Sequence, residues 1–233
     1  MTRMILTPLN PEPSPSLEAL LPAINLSAFK LLFWDFDGVI KDSVEVKTRA
    51  FVQLFEPFGS KIAERVRDHH EANGGMSRLN KIPLYLEWAG EQVSQKLVDE
   101  YCQRFSQLSL QGVIDSPWVG GAEALLRGNP YRQSFVLVTA TPHGEIEEIL
   151  AALNLRSCFM DVFGAPTSKK EAIRTTLEAR QIEPKLCLMI GDAKADFEAA
   201  QANNVPFLLR RHSSNGRVFE SYTGDSVEDF AGL

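Results

Sequence analysis

Two aspartates, Asp35 and Asp37, follow directly on the apolar run Leu31-Leu32-Phe33-Trp34. In extended backbone a spacing of two turns both carboxylates to the same side. A second apolar run, Ser134–Thr139, delivers Thr139, with Ala140 and Thr141 behind it. A third, Leu186–Ile190, runs through Gly191 into Asp192, with Asp196 four residues further on. Lys169 and Lys170 open a helical pattern after Pro166-Thr167-Ser168, and either lysine is a candidate cation for the same chemistry. A carboxylate can attack phosphorus to give an aspartyl-phosphate, dividing one hard displacement into two easier ones. A second carboxyl group then protonates the leaving alcohol and later takes a proton from water. The equatorial phosphoryl oxygens need a lysine, a hydroxyl, backbone N–H groups and a metal. Four converging carboxylates repel one another unless a cation is present, and Mg²⁺ suits a few carboxylates, waters and a substrate phosphate. The residues that phosphoryl transfer requires are all in the chain.

Short apolar runs bounded by turn residues read as buried parallel strands whose carboxyl ends meet loops. A fourth such run is Val205–Leu209, and helical stretches lie between the runs at Ala122–Leu126, Gly144–Leu153, Ser168–Arg180 and Ala195–Ala202. Alternating strand and helix predicts an α/β fold, a Rossmann-like parallel sheet with helices on both faces. Ligands of such sheets bind at the carboxyl ends of the strands, where the candidate residues lie. From Ser43 to Asp115 the pattern is helical, divided by Gly59, Asn73-Gly74-Gly75, Pro83 and Gly90 into about four helices. The expected organisation is a Pro-rich arm over 1–29, an α/β core over 30–43 and 116–233, and an inserted helical cap over 44–115. The arm carries Pro8, Pro11, Pro13, Pro15 and Pro22, with a short helix expected over Leu17–Ala23. Phe51, Phe55 and Phe58, at near-helical spacing, are expected in the core of the insertion. His69-His70, adjacent on a helix, are expected at the surface, and Arg210-Arg211-His212 in a solvated loop.

The 24 basic and 30 acidic side chains give a net charge of −6, which argues against a nucleic-acid partner. Cys102, Cys158 and Cys187 form neither a CxxC pair nor a disulfide framework, which suits buried thiols in a reducing compartment. No apolar stretch approaches the roughly 18 to 20 residues of a membrane helix, and the first 30 residues lack an export-signal pattern. A cytoplasmic protein without a membrane partner is expected, monomeric or weakly homo-oligomeric, acting on a small phosphorylated metabolite.

Together, DFDGVIKDS (35–43), the strand ending in Thr139, PTSKKEAI (166–173) and IGDAKADFEAA (190–200) resemble the four motifs of the haloacid dehalogenase superfamily. The insertion is similar to the small helical cap of its β-phosphoglucomutase and phosphoglycolate phosphatase branch. The resemblance implies a Mg²⁺-dependent phosphatase with Asp35 as nucleophile and metal ligand. It implies Asp37 as general acid/base, with its main-chain carbonyl on the metal, and Thr139 as the hydroxyl holding the phosphoryl group. Lys169 is taken as the family lysine over Lys170, because its spacing to Ile173 and Leu177 fits better. Asp192 becomes a metal ligand, and Asp196 a second ligand or its support. In the cap, GGMSRLNK (74–81) resembles the loop and helix start that place an arginine near the substrate's distal groups. There Ser77 would cap the helix while Arg78 faces the site, with Lys81 a further substrate contact. Gly38, Lys47 and Ala140 complete the substrate-binding candidates. Lys47 stands where mutases of this branch carry a histidine, a departure that disfavours mutase chemistry. Lys41 would add a cation near the entrance. Two other readings stay open: a sugar phosphomutase, and a catalytically silent binding module of the same fold.

Overall fold

A computed structural model describes residues 24–233. Strand β1 (Leu31–Trp34) leads into the helical insertion α1 (Val44–Phe55), α2 (Ser60–Ala72), α3 (Arg78–Trp88) and α4 (Gln95–Asp115). The chain continues through α5 (Ala122–Gly128), β2 (Ser134–Pro142), α6 (His143–Ala152), β3 (Asp161–Ala165), α7 (Lys169–Arg180) and β4 (Cys187–Gly191). It ends with α8 (Lys194–Ala202), β5 (Phe207–Arg210) and β6 (Ser226–Val227). The strands form one six-stranded sheet in the order β3-β2-β1-β4-β5-β6, every pairing parallel. The helix expected over Leu17–Ala23 lies outside the described residues. Of the expected arm, Leu26 is buried in the core beneath Ile24 and Phe29.

Strand β1 is the hub. Its Leu32 and Trp34 enter one core with Phe135, Leu137, Leu188, Ile190 and helices α5 and α6. Its Leu31 and Phe33 enter a second core with Val136, Val138, Cys187, Met189 and helices α7 and α8. A strand buried on both faces needs apolar residues at every position, which is why these runs stand out in the sequence. Each fully buried Leu or Phe contributes about 1.5–3 kcal/mol, so the sheet centre is the rigid part of the scaffold. The register sets Trp34 beside Leu137 and Ile190, so the three strands reach their carboxyl ends side by side.

The insertion has a core of its own around Phe51, Phe55, Val66, Ile82, Tyr85 and Phe105, with Phe58 packed against it. Its breaks fall at Gly59, Asn73–Gly75 and Gly90, whereas Pro83 sits inside α3 and interrupts nothing. Strand β3 was not foreseen. It is short, with Asp161 and Phe163 half exposed, so its hydrophobic run is broken. Strand β6 has two residues and no hydrophobic run. Among the described residues no helix is long and apolar enough to cross a membrane. The three cysteines are unpaired, and only Cys187 is buried; Cys102 and Cys158 are half-buried.

Candidate functional site

Asp35 leaves β1 as its main-chain N–H donates to the Ile190 carbonyl at 3.0 Å, which sets its side chain at the sheet edge. One oxygen of that side chain accepts the Phe36 N–H at 2.7 Å. The other meets the Lys169 ammonium at 2.7 Å. Lys169 also donates to Asp196 at 2.5 Å. It is buried at the start of α7, a helix capped by the Ser168 hydroxyl, whereas Lys170 is exposed. Asp192 follows β4, and one of its oxygens lies 2.9 Å from His212 Nε2. Asp196, in the first turn of α8, accepts the Ala193 N–H at 3.1 Å.

Asp35, Asp192 and Asp196 each present a carboxylate oxygen within 4.8 Å of the others, and all three residues are buried. Burial, then the charge of Asp196, pushes the Asp35 carboxyl up to about 7, although Lys169 opposes this. Burial also raises Asp192, against the His212 hydrogen bond, and Asp196, against Lys169. Lys169 is itself held above its ordinary value, because Asp196 and Asp35 outweigh its desolvation. Three carboxylates against one ammonium leave two negative charges when all are ionised. That residue, in hard oxygen donors, is what a divalent cation such as Mg²⁺ balances, so such an ion fits the side chains present.

Asp37 lies apart from this cluster. It accepts from Ser43 Oγ at 2.7 Å, from Thr141 Oγ1 at 3.2 Å, and from the Lys47 ammonium of α1. Burial alone would raise its carboxyl, but Lys47 and the two hydroxyls outweigh this and hold it below the usual range. Lys47 also donates to Thr141 at 2.7 Å, so both residues belong to the site, although a threonine two positions beyond Thr139 carries no sequence signal. Gly38 turns the chain between the two groups. Its φ of +78° favours glycine, and a Cβ there would meet Asp192 Oδ2 at 2.3 Å.

A cavity of ≈100 Å³ separates the sheet edge from the insertion and admits only a small ligand. Asp35, Asp37, Thr139, Ala140, Lys169 and Asp192 line it from the sheet side, and Lys47, His70, Arg78 and Lys81 from the insertion. Asp196 and Gly38 stand behind this lining, beside Lys169 and Asp192. Ser77 accepts the Leu79 N–H at 3.3 Å and so caps α3. Arg78 reaches the cavity wall, but its guanidinium is bound by both oxygens of Glu145 on α6 and by Ser106 of α4 at 2.6 Å. Glu145 carries no local signal, because the pairing joins residues 67 positions apart.

Three expectations are corrected. His70 is buried rather than at the surface, because Ala63, Val66 and His70 form the inward face of α2. Arg210 is 8% exposed and His212 touches Asp192, so 210–212 is a packed segment rather than a solvated loop. Lys41 does not stand at the entrance; it is buried with its ammonium 4.5 Å from the centre of the Trp118 ring.

The pKa of Lys81 is pushed down to about 7 by burial and then by Lys47. In the unfolded chain it titrates near 10.5, so from about pH 7 to 10.5 the unfolded state binds more protons and folding strengthens as pH rises. Lys81→Met is therefore expected to raise the melting temperature at pH 7, by several kcal/mol of stability at most. The gap to the wild type should close as pH approaches 10 in thermal scans. A gap that does not narrow would refute an uncompensated buried charge.

A Rossmann-like parallel sheet with a buried carboxylate cluster at its carboxyl edge, facing a helical insertion across a small cavity, defines an α/β protein with an aspartate-centred site. The chain belongs to the haloacid dehalogenase-like hydrolase family, whose model matches residues 32–209. It is 23% identical over 209 residues to the phosphoglycolate phosphatase of Aliivibrio fischeri (strain ATCC 700601 / ES114), covering 86% of this chain and 92% of that protein. Solved structures with the same fold include a β-phosphoglucomutase from Clostridium difficile, with TM-score 0.69 and 19% identity over 86% of this chain and 91% of that one. Another is a predicted phosphoglycolate phosphatase from Haemophilus somnus 129pt, with TM-score 0.69 and 17% identity over 88% and 96%.

Proposed function

We propose that the protein is a Mg²⁺-dependent phosphatase that hydrolyses a small phosphomonoester through an aspartyl-phosphate on Asp35. The observation that carries this reading is the meeting of Asp35, Lys169 and Asp192 at one end of the cavity, with Asp37 close by on its own hydrogen-bond network. Asp35 Oδ is the attacking atom, and its bond to the Phe36 N–H fixes the carboxylate plane. The Lys169 ammonium and the Thr139 hydroxyl hold the phosphoryl oxygens as charge shifts onto them. Asp37 gives a proton to the leaving oxygen and afterwards takes one from the water that cleaves the acyl phosphate. Lys47, Ser43 and Thr141 keep the Asp37 carboxyl aimed, and Lys47 favours its ionised form, which suits the base half of the cycle. When bound at Asp35 and Asp192, with Asp196 in support, Mg²⁺ supplies the charge that lets these carboxylates stay ionised beside a phosphate. The insertion closes the cavity against bulk water as a cap.

The test is inorganic phosphate release from a panel of sugar phosphates and phosphorylated acids, with Mg²⁺ and with EDTA. Release that EDTA abolishes is the expected result. Substrate consumed without phosphate would replace hydrolysis by transfer to an organic hydroxyl, as in a mutase. No consumption of any ester would favour a binding module.

A further inference from the structure

Asp192 is held differently from the other two carboxylates of the cluster. Asp35 and Asp196 share the Lys169 ammonium, whereas Asp192 takes its side-chain hydrogen bond from His212, on the segment that follows β5. His212 Nδ1 accepts the Ser214 N–H at 3.3 Å, which leaves the ring hydrogen on Nε2. That N–H donates to Asp192 Oδ2 at 2.9 Å. An imidazole with its hydrogen on Nε2 alone carries no charge, so it orients the carboxylate without cancelling the charge a cation needs.

The contact is braced on both sides. Asn215 is 5% exposed, and its Nδ2 donates to the Asp192 main-chain carbonyl at 2.9 Å and to the Arg210 carbonyl at 2.8 Å. Its Oδ1 accepts the His212 main-chain N–H at 3.0 Å, so one amide ties the end of β5 to the end of β4 and sets the imidazole against Asp192. Gly38 packs against the same oxygen, since a Cβ there would stand 2.3 Å from Oδ2. Oδ2 is thus committed to the protein, while among the described residues Oδ1 accepts no hydrogen bond. A carboxylate fixed before an ion arrives carries no ordering cost into binding.

We propose that His212 is a positioning residue of the cation site, holding Asp192 by Oδ2 so that Oδ1 is presented to the divalent ion. This inference rests on the Mg²⁺-dependent reading and adds to it a residue beyond the carboxylates. Asn215 supports His212 in that part through the main chain.

Mg²⁺ affinity of the substrate-free protein tests it, measured by titration calorimetry and by displacement of Mn²⁺ followed by electron paramagnetic resonance. His212→Leu keeps the bulk and loses the donor. His212→Asn keeps an amide that stops short of the Nε2 position, and His212→Gln carries an N–H to that position. Affinity should fall by about 10–100-fold in the Leu and Asn variants, the usual effect of removing a partner that orients a metal ligand. The Gln variant should recover most of the loss. A lowered melting temperature of the metal-free variants with unchanged Mg²⁺ affinity would make His212 a packing residue and overturn the proposal. An equal loss in all three variants would mean that the ring itself, and not its N–H, is needed, and overturns it too. Wild-type binding that all three variants match overturns this inference alone. If the wild type binds neither ion, the metal reading fails and this one with it.

Discussion

Asp35→Asn is expected to lower phosphate release by on the order of 10⁴-fold or more, the scale on which loss of a nucleophile is felt in covalent catalysis. The substitution is a clean probe because the amide keeps the shape. Asn Oδ1 can still accept the Phe36 N–H that Asp35 accepts at 2.7 Å. The fold should not suffer, since the change removes one of three buried carboxylates whose charges exceed the single ammonium among them. A melting temperature equal to or above the wild type is therefore expected alongside the loss of turnover. Activity within tenfold of wild type would remove Asp35 from the nucleophile role. A parallel loss in Asp37→Asn would not distinguish the two, because both take part in the cycle. Rapid-quench detection of a phosphorylated enzyme separates them: Asp37→Asn retains the first half-reaction with a good leaving group, and Asp35→Asn does not.

How far such a site can be read from a sequence depends on whether its signal is local. Strands β1, β2 and β4 were legible because burial on both faces demands uninterrupted apolar runs, and each run ends where a polar residue meets the cavity. Asp35, Asp37 and Asp192 share that legibility, since their positions follow from the strand ends. Lys169 and Lys170 were separable in the sequence only by spacing to Ile173 and Leu177; in the fold Lys169 is buried beside Asp35 and Lys170 is exposed. His70 was legible and misread: with Ala63 and Val66 it completes one helical face, and that periodicity outranks the adjacency of His69. Strand β3 lacked an unbroken run, and its Gly164 is needed because a Cβ would meet the Thr141 carbonyl at 2.6 Å. Glu145 and His212 had no local signal. Their roles arise only when α6 meets α3 and when the segment after β5 folds over β4. Which cations face a ligand could not be read from their positions, because it depends on which already hold a carboxylate.

Lys169→Met should show a large loss of stability. The ammonium is shared between Asp35 at 2.7 Å and Asp196 at 2.5 Å, all three side chains being nearly or fully buried. Removing one member of a buried ion pair strands its partner, which costs about 3–5 kcal/mol, or roughly 10 °C in melting temperature for a chain of this size. The pH dependence fixes the cause. Asp35, Asp192 and Asp196 all titrate above their ordinary 3.8 in the folded protein, Asp35 near 7. The folded state then binds more protons than the unfolded one, so the stability these groups allow is present at low pH and lost as pH rises. Without the lysine their values climb further, so the deficit of Lys169→Met should be small near pH 5 and widen toward pH 8. Saturating Mg²⁺ should recover part of it, since a bound cation supplies charge that the lysine no longer does. Thermal scans at pH 5 and pH 8, with and without Mg²⁺, read all of this directly. A deficit independent of pH would mean that Lys169 stabilises through packing of its stem rather than through the two carboxylates, and would withdraw the electrostatic account of the cluster.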